Sequence, residues 1–130
     1  MKFHHLGIAC QDIEATSTHY LPLGYICSEI IEDPLQNVRI AFLTHSSMPM
    51  LELLSPVNEN SPVVEILRKN GTTPYHICYE VNEMEATIKQ LRKKRYLIVS
   101  KPKKAVAIDG RKVAFLYNSE VGLIELLEIS

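Results

Sequence analysis

Leu123-Ile124-Glu125-Leu126-Leu127 decides how this chain is read: five residues with the composition of a buried β-strand and one carboxylate in their middle. An ionised Glu in a core strand costs several kcal/mol unless a cation or hydrogen bonds compensate it. Alternate side chains of a strand face opposite ways, so Ile124 and Leu126 can enter a core while Glu125 faces the other side. Leu51-Glu52-Leu53-Leu54 repeats the arrangement earlier in the chain.

Working outward, the two stretches belong to a longer repeat. His5 matches His76, Glu14-Ala15-Thr16 matches Glu85-Ala86-Thr87, and Tyr25 matches Tyr96, all at one offset of 71. Ala41-Phe42-Leu43 then matches Ala114-Phe115-Leu116, and Leu51–Leu54 matches Ile124–Leu127, at an offset of 73. Ordered matches of this length predict two β-α-β-β-β modules. A two-fold relation between them would set His5, Glu52, His76 and Glu125 about one site.

The local signals fit that division. Residues 2–10 alternate so that His5 shares a face with Phe3 and Gly7, away from Leu6 and Ile8. Asp12 is a candidate N-cap for a helix reaching His19 and Tyr20, stopped by Pro22 and Gly24. Strands are expected at about 25–32 and 37–44. Ser61-Pro62 opens a connector helix at about 61–70, ended by Asn70-Gly71. Module 1 thus covers about 1–56 and module 2 about 72–130, in a single domain. In module 2 a strand from Thr73 to Val81 precedes a helix that Asn82 and Glu85 would open as a capping box. Strands follow at about 96–100, 112–117 and 121–129, with Lys101–Lys104 and Asp109-Gly110 in the connecting loop.

Composition narrows the function classes. With 130 residues, 46% hydrophobic, and a net charge of -1, the chain fits one globular domain and lacks the basic excess of a nucleic-acid binder. It shows no charged-then-apolar leader and no long apolar run, so a cytoplasmic location without a membrane span is expected. Cys10, Cys27 and Cys78 are widely spaced and read as buried reduced thiols.

Two imidazoles and two carboxylates make a mixed N/O donor set suited to a borderline divalent metal, with positions left for water or substrate. His5, Glu52, His76 and Glu125 are therefore the expected ligands; nickel or zinc is expected, with cobalt or manganese as substitutes. His4 faces the other way and reads as structural, while His19 and His45 read as solvated. Lys101-Pro102-Lys103-Lys104 and Arg111 form a basic group, read first as a solvated loop and second as a site for phosphates or carboxylates.

Modules opening with His5-Leu6-Gly7-Ile8-Ala9 and Tyr75-His76-Ile77, each closing on a Glu-Leu-Leu strand, resemble the vicinal oxygen chelate superfamily along essentially the whole chain. The resemblance implies an α+β fold in which paired βαβββ modules form an open, curved mixed sheet around a metal, commonly in a homodimer. It places the metal ligands of the small glyoxalase I enzymes and of the methylmalonyl-CoA epimerases at His5, Glu52, His76 and Glu125. Epimerases of that kind carry a further acid just before the third strand of the first module, where this chain has Leu35. Glutathione-using glyoxalases usually carry an Arg late in the first strand, where this chain has Ala9. The expectation is a glyoxalase I-type lyase acting on the thiol adduct of a 2-oxoaldehyde, with Glu125 and Glu52 as the proton-transferring pair. The alternatives are a methylmalonyl-CoA epimerase acting on an acyl-CoA and a non-catalytic binding protein.

Overall fold

The computed structural model describes residues 1–129. Among them are nine strands and three α-helices: β1 (Lys2–Ala9), α1 (Ile13–Ser17), β2 (Ile26–Cys27), β3 (Ile31–Asp33), β4 (Val38–Thr44), β5 (Leu51–Pro56), α2 (Val63–Asn70), β6 (Thr73–Val81), α3 (Met84–Lys93), β7 (Leu97–Ala105), β8 (Arg111–Asn118) and β9 (Gly122–Glu128). The chain divides into two compact units, residues 5–75 and residues 1–4 with 76 onward. The α+β class follows as expected from the repeat.

In the first unit β1 lies parallel to β5, with Gly7 opposite Glu52, and β4 runs antiparallel on the far side of β5, with Phe42 opposite Glu52. The short strands β2 and β3 both pair with β4. The pleat sends Ile8, Ala41, Leu43, Leu51 and Leu53 to one face, where they pack with Ile13 and Tyr25. His5, Phe42 and Glu52 are left to the opposite face.

The second unit repeats the plan. Strand β6 is parallel to β9, with Cys78 opposite Glu125; β8 is antiparallel to β9, with Phe115 opposite Glu125. Strand β7 pairs with β8. Ala114, Leu116, Ile124 and Leu126 pack beneath Met84, Ile88 and Leu91 of α3, an i, i+4, i+7 stripe.

Several boundaries differ from expectation, each for a local reason. Helix α1 stops at Ser17 because the hydroxyls of Ser17 and Thr18 donate to the carbonyls of Glu14 and Ala15, and i→i−3 bonds from His19 and Tyr20 tighten the chain. The strand expected at 25–32 is broken in two: Ser28 both accepts the Phe42 N–H on its hydroxyl and donates to the Glu29 carbonyl, diverting the ladder. Neither Ser61 nor Asn82 caps a helix through its side chain; α3 starts after Glu83 and is anchored by burial of Met84 and Ile88 instead. The largest change is β7, which runs on through Lys101–Lys104. Its register with β8 shifts between Ser100 and Lys103, and that irregularity accommodates Pro102 within a strand.

Candidate active site

Each unit builds one buried His–Glu pair by the same device. In the first, His5 Nε2 lies 3.0 Å from Glu52 Oε1, and the ring of Phe42 meets His5 edge-on at 5.6 Å between centroids. In the second, His76 Nε2 lies 3.1 Å from Glu125 Oε1, with Phe115 edge-on at 5.3 Å. All four polar residues are buried. A parallel strand pair brings each His beside its Glu, and the antiparallel neighbour supplies the aromatic opposite that Glu.

The donor chemistry suits a divalent cation. Two donors that bind one ion at about 2.1 Å each and subtend roughly a right angle lie about 3.0 Å apart, the spacing seen in both pairs. Two carboxylates held in apolar strands also need positive charge nearby. The protein therefore carries buried His/Glu groups able to hold a metal ion.

Phe42 and Phe115 were not expected as site residues. Their signal was present, because both stand in the repeated Ala-Phe-Leu triplets, but alternation alone did not reveal that they oppose the glutamates. His45 is not solvated as expected: its Nε2 lies 3.0 Å from the Leu23 carbonyl while Nδ1 accepts the Ser47 and Met48 N–H groups, so it fastens a turn. His19 is exposed, as expected, and Cys27 is only half-buried. Burial pushes the Cys10 thiol above its ordinary value.

Arg111 is not available to a ligand in the manner expected. Its Nη2 donates to Glu80 Oε2 at 2.7 Å and its Nε to the Glu128 carbonyl at 2.7 Å. The guanidinium holds the Glu80 carboxyl below its usual range. Leu35 sits exposed in the turn between β3 and β4. The acid in that turn, Asp33, is fully buried and accepts from the Leu35 and Gln36 N–H groups and the Gln36 amide.

Residues 4–115 match the model of the Glyoxalase/Bleomycin resistance protein/Dioxygenase superfamily, and the chain belongs to that superfamily. Within it, several similar proteins are epimerases. The human mitochondrial methylmalonyl-CoA epimerase is 33% identical over 129 residues, covering 96% of this chain and 72% of the relative. The ethylmalonyl-CoA/methylmalonyl-CoA epimerase of Cereibacter sphaeroides is 29% identical over 132 residues, covering 98% of each. A structure of the Streptomyces coelicolor methylmalonyl-CoA epimerase in complex with 2-nitronate-propionyl-CoA superposes with a TM-score of 0.83 at 28% identity, covering 98% of this chain and 96% of that one.

These relatives overturn the expectation of a glyoxalase I-type lyase acting on a thiol adduct. That choice rested on Leu35 at one turn, and similarity along the whole chain outweighs a single exposed position. Among the described residues no helix is long and apolar enough to cross a membrane.

Proposed function

We propose that this protein is a metal-dependent acyl-CoA epimerase, inverting the carbon between the carboxylate and the thioester of a methylmalonyl-CoA-type substrate. The observation that carries the reading is the buried His–Glu pair present once in each unit of a chain similar to epimerases over nearly its full length. In this reading His5, Glu52, His76 and Glu125 hold one divalent ion, nickel or zinc first, with cobalt or manganese as substitutes. When bound, the ion supplies Lewis-acid stabilisation of the negative charge that develops on the substrate's carbonyl oxygens.

The chain's own groups move the proton. A carboxylate is a suitable base for a carbon acid flanked by two carbonyl groups, and epimerisation needs a base on one face and an acid on the other. Glu125 and Glu52, one from each unit, fill those roles. The proton leaves the α-carbon to one carboxylate, and a proton returns to the opposite face from the other, so nothing is oxidised or reduced. Phe42 and Phe115 stand edge-on to the imidazoles of His5 and His76 and fix their ring orientation. The second acid need not come from position 35, which explains how Leu35 is compatible with the activity. The functional form is a homodimer, as the superfamily resemblance implies.

The test is inversion of one epimer of methylmalonyl-CoA, followed by circular dichroism before and after metal removal. Loss of inversion with chelator and its return with about one ion per chain is expected. Failure of the reconstituted protein to invert either epimer would overturn the reading.

A further inference from the structure

The repeat keeps the His–Glu–Phe cluster but changes the strand positions beside it. Gly7 and Cys78 are equivalent at the offset of 71, and each stands directly opposite the glutamate of its own unit, on the same face of the sheet: Gly7 opposite Glu52 and Cys78 opposite Glu125. Two residues further on, Ala9 opposes Leu54 where Glu80 opposes Leu127. Beside Glu52, then, β1 presents only glycine and alanine. Beside Glu125, β6 presents a fully buried thiol and a carboxylate. Glu80 is also pinned. Arg111 Nη2 donates to its Oε2 at 2.7 Å, and because β6 and β8 flank β9, this pair bridges β9 on the face that carries Glu125.

The backbone does not account for Gly7. It lies inside β1, it is not among the residues of positive φ, and the register from Leu6 to Ala9 runs without a bulge. A glycine in a strand interior gives up both packing and stiffness. Where neither a turn nor a bulge calls for it, the remaining reason is close approach of another group to the strand. The plan of strands itself tolerates a side chain there, since the second unit carries one at Cys78.

A malonyl thioester presents two oxygen-bearing carbons on either side of one α-carbon, so a donor set repeated in both units can take it in two directions. Its ends differ most in size: one is a bare carboxylate, the other a thioester with a long arm. Bulk beside each glutamate therefore decides the direction. We infer that Gly7 with Ala9, and Cys78 with the Glu80–Arg111 pair, determine the orientation of the substrate: the thioester end and its arm lie over β1 beside Glu52, and the free carboxylate end lies beside Glu125. The inference rests on the malonyl thioester reading above and adds the direction in which such a substrate binds.

The test compares methylmalonyl-CoA with free methylmalonate, which has two carboxylate ends and no arm. Both are titrated calorimetrically into the metal-loaded protein and into its Gly7→Ala and Cys78→Ala variants, with metal content and melting temperature measured alongside. Gly7→Ala is expected to weaken methylmalonyl-CoA by about tenfold or more, the effect of forcing a methyl group into occupied space, and to leave methylmalonate unchanged. Cys78→Ala should weaken neither. If Gly7→Ala does not fold, Ala9→Ser gives the same reading, with a selective loss of methylmalonyl-CoA. An equal loss of both ligands from Gly7→Ala would mark general crowding and overturn the inference. Tighter methylmalonyl-CoA binding by Cys78→Ala, with no loss from Gly7→Ala, would put the arm beside Glu125 and overturn it as well. A parent protein that shows the Gly7 selectivity yet inverts neither epimer would uphold the orientation and reject the epimerase reading. One that inverts methylmalonyl-CoA while Gly7→Ala leaves its affinity intact would do the reverse.

Discussion

The two units share their central strand plan and, most closely, their His–Glu–Phe cluster. His5 to Glu52 and His76 to Glu125 differ by 0.1 Å in spacing, at 3.0 and 3.1 Å, and each pair has its phenylalanine edge-on. Around them the units diverge. Helix α1 has five residues and α3 has ten; the strand after α1 is broken at Ser28 while the strand after α3 runs nine residues; one unit is acidic and the other basic. A repeat that drifts in length, charge and strand continuity yet keeps one side-chain cluster is the pattern that the proposed function requires of that cluster. The freer periphery is where substrate recognition can differ between halves.

The strongest way to break this equivalence is to neutralise each carboxylate in turn. Glu125→Gln and Glu52→Gln should each lower kcat by roughly 10²-fold or more, the usual range for a positioned acid or base, with the fold retained by circular dichroism. If one variant keeps full activity, the two halves are not chemically equivalent and the paired proton transfer fails.

A second comparison concerns backbone turns. Gly24 and Gly122 both adopt positive φ, at 98° and 94°, but a Cβ at Gly24 would meet His45 Nε2 at 2.7 Å, whereas none of the surroundings lies near one at Gly122. Gly24→Ala should therefore cost about 2 to 3 kcal/mol and Gly122→Ala about 1 kcal/mol, measured by urea denaturation. Equal losses would mean that the His45 contact does not constrain the first unit.

The smallest effect expected is that of the Glu80–Arg111 pair, which the first unit has no counterpart for in the repeat. Arg111 depresses the Glu80 carboxyl in the folded protein. The pair's stabilisation is thus fully present above the ordinary value of 4.5 and is lost as pH falls through the depressed one. Glu80→Gln should cost about 1 kcal/mol at neutral pH, with the difference from the parent protein shrinking on acidification. A difference independent of pH would assign the loss to packing instead.

What the sequence disclosed, and what it hid, follows the same physics. His5, Glu52, His76 and Glu125 were legible because a charge between large apolar residues is costly and because the pattern occurs twice. The core faces of β5 and β9 were legible from alternation. The extension of β7 was not, since Lys101-Pro102-Lys103-Lys104 has the composition of a loop, and only pairing with β8 explains it as a strand. The cap at Asn82 misled because burial of Met84, Ile88 and Leu91 fixes α3 without one. The choice of reaction misled for a further reason: proton transfer beside a carbonyl needs the same metal and carboxylates in a lyase and an epimerase, so the cluster alone does not separate them.

The most direct test is solvent exchange. Metal-loaded protein is incubated with methylmalonyl-CoA in deuterium oxide, and deuterium at the α-carbon is followed by mass spectrometry beside the Glu125→Gln variant. Rapid incorporation by the parent protein and at least roughly 10²-fold slower incorporation by the variant are predicted. No enzyme-dependent deuterium in methylmalonyl-CoA, with the metal bound, would contradict the account.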